Sequence, residues 1–425
     1  MYLRIIVAVL AVFGLFVKSF SQTQTKNPYS MMGLGLIENY GNITNPGMGG
    51  IAVGLYNKNM LNITNPATLS SLDTLTFITE FGLKSNFSYM TTNDYNQGTS
   101  STSLNYFAFG FRGSKRWTSS LGITPLSSIG YEIVDNTPEQ HNIDVSRYYV
   151  GSGGLNSLFL SNCFDITENF SAALTVNYIF GKIEKTNTFI FNDFAGSSNT
   201  QEGLKHQVNG FSFSMGLSYR LFTTETSAYT FGLTFSPKLP IHAYESAING
   251  TISGDNIWST DDNTFIDTLP DSFYEKRKVD LDWPAFISVG IGKMKVNKYN
   301  LGIDYSFGHW QNTDYENIRN SHRVALGYSF TPQWNSPVNY SRRITYRFGS
   351  FFESKNIILD NVGINNFAFT FGFGLPIRRG LYNCDVDVQV GKYGTTTKGN
   401  IADYYAQISL KLRFREIWFY KPKYD

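Results

Sequence analysis

The residues able to do chemistry in this 425-residue chain are few and scattered. Five histidines stand at positions 141, 206, 242, 309 and 322, none at the i, i+2 or i+4 spacing of a metal site. No metal and no cofactor is therefore expected. Nucleophilic catalysis lacks its signature too, since no Gly-x-Ser-x-Gly elbow stands between a strand and a helix. The chain is read as a non-enzyme. The ionisable residues worth following are Glu80, Lys84, Asp304, Asp385, Asp387, Lys411 and Arg413, which all fall on the polar side of segments that alternate apolar and polar residues. In strands, that period of two sends them to one face. If the sheet closes on itself, the last segment lies beside the first. Lys411 and Arg413 then fall between Glu80 on one side and Asp385 or Asp387 on the other, as cross-strand pairs. A charge ladder of this kind holds a seam or an internal plug in place.

The alternation that positions these groups runs from Thr74 to the C-terminus in segments of about ten residues, the length of a tilted membrane-spanning strand. Leu75, Phe77, Phe81, Leu83, Phe87 and Tyr89 take one face of the first segment, and Thr76, Glu80, Lys84, Asn86 and Ser88 the other. The pattern recurs at Phe211, Phe213, Met215, Leu217 and Tyr219, at Phe367, Phe369, Phe371 and Phe373, and last at Tyr404, Ala406, Ile408, Leu410, Leu412 and Phe414. With weaker segments the count reaches about fourteen, and an even number is expected because both termini of such barrels lie on the periplasmic side. The fold class is all-β: a transmembrane antiparallel β-barrel of about fourteen strands with an N-terminal lumenal hatch. A soluble sandwich or propeller also alternates. A propeller would repeat a motif every 40 to 50 residues or so, which is absent, and a sandwich would rarely carry so many Phe and Tyr at its apolar positions.

Composition agrees. Aromatic residues make up 16%, with 35 Phe and 27 Tyr, while charged residues are only 16%, against about a quarter in ordinary soluble domains. A net charge of +2 without basic runs argues against a nucleic-acid partner. Arg4 followed by the apolar run Ile5 to Val17, with Ser19 and Ser21 before Gln22, reads as a cleavable export signal over residues 1–21. The expected organisation is then a hatch over 22–73, a barrel over 74–415 and a periplasmic tail over 416–425. The stretches 187–203 and 244–272, rich in Asn, Asp, Ser, Thr and Gly, read as extracellular loops. Cys163 and Cys384 can form a disulfide only if their strands bring them within reach. The six tryptophans, at 117, 258, 283, 310, 334 and 418, fit either a lipophilic passage or the interfacial girdles common in barrels. A charge at lipid-facing Phe371 is expected to cost about 2 to 4 kcal/mol, and Thr370→Arg on the other face little.

The hatch region carries Asn27-Pro28-Tyr29-Ser30, then Gly47-Met48-Gly49-Gly50, then Asn65-Pro66-Ala67. In these motifs the chain resembles the FadL-like outer-membrane transporters, whose N-terminal hatch precedes a fourteen-stranded barrel. The opening Asn-Pro-Tyr-Ser and the closing Trp418 to Asp425 resemble a Bacteroidota branch. The resemblance implies an outer-membrane location, contact with outer-membrane lipid and passage of hydrophobic, fatty-acid-like molecules that leave sideways through a kinked strand. Pro125 is the candidate kink, because proline cannot donate a ladder hydrogen bond; equally, it ends its strand at the membrane rim. Similar barrels in Bacteroidota also look like the outer-membrane shuttle of type IX secretion and like partners of barrel-assembly complexes. A second expectation is therefore a non-transporting accessory subunit, with outer-membrane protein partners in place of a small-molecule ligand.

Overall fold

The computed structural model describes residues 25–135, 145–191, 199–252, 265–268, 274–311, 317–377 and 381–417. The expected export signal, Trp258 and the tail from Trp418 onward lie outside the described residues. The short strand β1 (Leu36–Ile37) belongs to the N-terminal segment, and the wall begins at β2 (Thr76–Thr91). It continues through β3 (Asn96–Arg112), β4 (Trp117–Asp135), β5 (Val145–Asp165), β6 (Phe170–Phe191) and β7 (Asn199–Thr224). Next, β8 (Ser227–Ser236) and β9 (Leu239–Ile252) are two halves of one wall strand, and β10 (Phe265–Thr268), β11 (Tyr274–Trp283) and β12 (Ala285–Lys295) share the next. The circuit is completed by β13 (Tyr299–His309), β14 (Ser321–Phe330), β15 (Thr345–Leu359), β16 (Val362–Ile377), β17 (Tyr382–Gly394) and β18 (Ala402–Ile417). All neighbours run antiparallel, and β18 pairs with β2 from Ala402↔Thr91 to Ile417↔Thr76. Fourteen wall strands thus close on themselves with no free edge at the seam.

Alternation decides which way each side chain points. Phe211, Phe213, Met215, Leu217 and Tyr219 on β7 and Phe367, Phe369, Phe371 and Phe373 on β16 are exposed on the outer surface, while Ala368 and Thr370 between them are buried inside. In water, such a greasy belt would be an aggregation hazard, whereas hydrocarbon is the solvent that suits it. Proline marks the breaks within wall strands: Pro237 lies between β8 and β9, and Pro284 between β11 and β12. At each, the ladder lacks an N–H donor.

Two stretches depart from the loop reading. Pairing between β6 and β7 continues to Phe189↔Thr200, and β9 runs to Ile252, so much of 187–203 and 244–252 is strand. The reason is that paired backbone satisfies itself wherever it lies, and a strand beyond the membrane faces water on its outer side and needs no oily residues there. Accordingly β5, β6 and β7 run 21, 22 and 26 residues, about twice what a membrane requires. At the end that holds the start of β2 and the end of β18, the turns 113–116, 166–169, 225–226 and 296–298 are short, which marks it as periplasmic.

The N-terminal residues 25–73 pack against the inner face of the wall. They form short 3-10 turns and one five-residue helix, Tyr40–Thr44, capped by Asn39, whose side chain accepts the Gly41 N–H at 2.8 Å. Close approach to the wall depends on glycine on both sides: a Cβ on Gly54 would stand 2.6 Å from the Gly290 carbonyl carbon of β12.

Candidate functional site

Six charged groups on four strands, β15, β17, β18 and β2, meet in the lumen. Arg413 on β18 sits between two carboxylates, with Nε 2.6 Å from Glu80 Oε1 on β2 and a terminal nitrogen 3.1 Å from Asp385 Oδ2 on β17. Asp385 also takes Lys411 Nζ at 3.3 Å and Arg347 of β15 at 3.0 Å, and Arg347 reaches Asp387 at 3.4 Å. Three acids face three bases, and all are buried. Tyr106 donates its hydroxyl to Glu80 at 2.5 Å, and the Leu61 N–H donates to the same carboxylate at 3.1 Å. Lys411 donates to the Thr44 carbonyl at 3.0 Å. The network therefore joins the β17–β18–β2 seam to the N-terminal segment. Lys84 lies apart from it and pairs with Glu38 of the N-terminal segment at 2.5 Å.

The glycine-rich motif is where this segment touches the wall most closely. Gly47 lies against Gly372 and the Asp387 carboxylate, and Met48 is buried beside Ile51 and Phe351. Gly49 has φ +65°, a conformation glycine adopts without strain. Its N–H donates to Thr370 Oγ1 at 2.7 Å, and its carbonyl accepts from Arg323 at 2.7 Å. Gly50, φ +74°, turns the chain back to Asn45. Asp304 of β13 then accepts the N–H groups of Ala52 at 2.6 Å, Val53 at 2.7 Å and Gly54 at 3.3 Å. Further on, Asn65 caps the turn Pro66–Ser71 by accepting from Ala67 at 3.2 Å, and its amide donates to Val53 and, across to β7, to Leu217. Ala67 is buried with Ile43, Leu61, Leu69 and Phe159 in an apolar cluster. Arg112 binds the Ser70 and Leu72 carbonyls, and Arg220 binds Ser70 Oγ and Tyr56, tying the periplasmic part of the segment to the wall.

Thr370 corrects one expectation. Its side chain is 1% exposed and holds Gly49, so an arginine there would break the contact between the N-terminal segment and the wall. Inward-facing does not mean tolerant where the N-terminal segment packs against the wall.

Pro125 lies on β4 at a register shift between Pro125 and Ser127. Opposite it, on β5, is Asn156, and just beyond the shift Gly154 and Gly153, with φ +145° and +109°, face Ser128 and Ile129. Only the periplasmic halves of β3 and β4 pair, from Arg112↔Thr118 to Phe107↔Ile123. Above that point the edge of β4 bonds to the N-terminal segment: β1 pairs with Ser127 and Ser128, Glu38 N–H donates to the Leu126 carbonyl at 2.9 Å, and Asn27 N–H to the Gly130 carbonyl at 2.8 Å. The wall is interrupted there and repaired from within.

A lumenal cavity of about 160 Å³ adjoins this repair, with Ile37, Glu38 and Leu126 in its lining. Trp283, Phe286 and Trp310 form an aromatic patch on it, facing hydroxyls such as Ser212, Ser214 and Thr234. Of the other described tryptophans, Trp117 donates to Asn162 at the periplasmic end of β4, and Trp334 is exposed beyond the wall. Cys163 on β5 and Cys384 on β17 are both buried, free thiols on separate strands. Among the described residues no group of three His, Cys, Asp or Glu is arranged to hold a metal.

Several residues of the site escaped sequence reading. Arg323, Arg347 and Tyr106 occupy polar-face positions of their strands, a parity that was legible. Their partners lie on other strands and follow only from register.

These features define a class of protein: a closed fourteen-stranded transmembrane barrel of the outer-membrane type, with its own N-terminal segment packed against the inner wall. Solved structures share the fold. The Ralstonia pickettii toluene transporter TbuX is 13% identical, with a TM-score of 0.59 over 88% of this chain and 97% of that one. The Pseudomonas putida toluene transporter TodX is 14% identical, with a TM-score of 0.57 over 91% and 100%. The CymD monoaromatic hydrocarbon channel is 12% identical, with a TM-score of 0.56 over 89% and 98%. No curated protein matches by sequence. The family model described as BamG matches residues 1–425, and the chain belongs to the BamG family.

Proposed function

We propose that this barrel is a non-transporting accessory subunit of an outer-membrane barrel-assembly machine. The observation that carries the reading is the anchoring of the N-terminal segment inside the barrel. Hydrogen bonds from Lys411 to Thr44, from Leu61 to Glu80 and from Ala52 to Asp304, together with a buried, mostly apolar cluster, fix the N-terminal segment to strands on several sides of the wall. Strands β5 to β7 extend well past the membrane and offer surface to a partner. The family's name agrees with a component of barrel-assembly machinery. The test is to purify the protein from outer membranes in mild detergent and identify by mass spectrometry both the proteins and the lipophilic molecules that come with it. A stoichiometric protein complex with little bound lipophile is expected. A stoichiometric fatty acid or hydrocarbon without partners would overturn the reading.

The interrupted β3–β4 pairing favours a second reading, uptake of a hydrophobic small molecule that leaves the lumen sideways near Pro125. Support comes from the cavity beside that gap and from the structural neighbours, two toluene transporters and a monoaromatic hydrocarbon channel. Ile37 and Ser127 are register partners, so the double variant I37C/S127C, once oxidised, fixes β1 to β4. Uptake of a radiolabelled fatty acid should fall at least tenfold on oxidation and return on reduction if the sideways route operates. Equal uptake in both states removes that route.

A further inference from the structure

At the periplasmic end the loop between β14 and β15, residues 331–344, stands out. It has 14 residues where the neighbouring turns 296–298 and 225–226 have 3 and 2. Such turns are ordinarily short. The loop is braced from within and from the wall: Gln333 N–H donates to the Arg342 carbonyl at 2.8 Å, Asn339 N–H to Ser336 Oγ at 3.3 Å, and the Tyr340 hydroxyl to the Pro376 carbonyl of β16 at 3.2 Å. Arg343 stacks over the Tyr340 ring at 5.0 Å. This scaffold holds Trp334 56% exposed and Val338 88% exposed.

Interfacial anchoring is the ordinary use of such side chains, but the membrane interface here already has its aromatic residues. Tyr328, Phe330, Tyr346 and Phe373 stack along the outer wall at the strand ends, with centroids 5.3 to 5.9 Å apart. Trp334 and Val338 lie four and eight residues past the last residue of β14. The loop contains no Asp or Glu; its charges are Arg342 and Arg343, and exposed Lys298 adjoins it through the Thr331 N–H, which donates to the Lys298 carbonyl at 2.8 Å. Tryptophan and arginine presented together on an ordered scaffold are what protein interfaces use as anchors, because little freedom is lost on binding.

We propose that residues 331–344 form a preformed docking site for the acidic surface of a periplasmic protein domain, with Trp334 and Val338 filling an apolar recess while Arg342, Arg343 and Lys298 meet carboxylates at its rim. This rests on the accessory-subunit reading and names where the partner is held. The test places the photo-crosslinker p-benzoylphenylalanine at Val338 in the full chain in cells, with Tyr95 at the opposite end as the control. Expected is one protein adduct, mapped to a segment bearing Asp or Glu. It should be lost at least tenfold in R342E/R343E, kept within twofold in R342K/R343K, and absent from Tyr95. Retained heat-modifiable mobility of each variant on gels shows that the barrel is intact. An adduct with lipid alone, or one indifferent to charge reversal, overturns the proposal. Where the wild type purifies as a complex and R342E/R343E retains it in full, the docking site falls and the accessory reading stands. Where the wild type has no stoichiometric partner, both fall.

Discussion

Two seams of the barrel enlist the same N-terminal segment by different forces. Between β17, β18 and β2, the ladders are unbroken and side chains make the connection: Arg413 and Lys411 reach across to Glu80 and Asp385, and to the Thr44 carbonyl. Between β3 and β4, the ladder stops at Phe107↔Ile123, and the segment supplies main chain, its own β1 continuing the sheet along β4. The difference teaches which contact is replaceable. A buried charge without a partner is costly, and few rearrangements relieve it. A main-chain pair of two residues can be exchanged for another with little net change, because the bonds broken are of the kind that reform. The first seam is thus the costlier to part, and the second the less costly.

The largest effect that would break this comparison is at the ionic seam. Arg413→Ala leaves Glu80 and Asp385 buried with fewer cations and should cost about 3 to 5 kcal/mol, measured by urea unfolding in detergent micelles. Stability within error of the wild type would mean that the seam does not depend on its charges. Next in size, Phe371→Arg on the lipid face should cost about 2 to 4 kcal/mol near the bilayer midplane, with Ser214→Arg in the cavity wall as the tolerant comparator. Equal losses at the two positions would contradict the assignment of the faces. Removing the acceptor of three N–H groups by Asp304→Ala should cost about 1 to 3 kcal/mol and raise hydrogen exchange at Ala52, Val53 and Gly54 without altering the wall; unchanged exchange there would show that the segment is held by other means. The smallest effect belongs to Lys84→Ala, which removes a partly exposed pair with Glu38 and should shift stability by about 1 kcal/mol or less. A larger loss would show that this pair, adjacent to the β1–β4 contact, matters as much as the ionic seam.

Strand parity was legible without the structure. Phe77, Phe371 and Phe414 had to face the opposite way from Glu80, Thr370 and Arg413, since successive side chains of a strand alternate and an oily face suits lipid. The closed all-β fold follows from repeating that pattern some fourteen times. Less legible were the strand limits at 187–203 and 244–252, because the alternation signal fades where both faces are wet, while the backbone pairing that defines a strand does not. Proline and glycine told where irregularity sits, at Pro125 and at Gly47 to Gly50, without telling what fills it.

What the sequence by itself determined, then, is the barrel, the direction in which each side chain faces and the reservation of a glycine-rich segment for something other than the wall. These are local properties, set by residue type and a period of two. What only the tertiary structure decided is who meets whom: Arg347 joining Asp385 and Asp387, Thr370 holding Gly49, Asp304 gathering three N–H groups, and β1 taking the place of β3 beside β4. Those contacts link residues up to some hundreds of positions apart, and a shift of one residue in register would undo every one of them by turning each side chain to the other face.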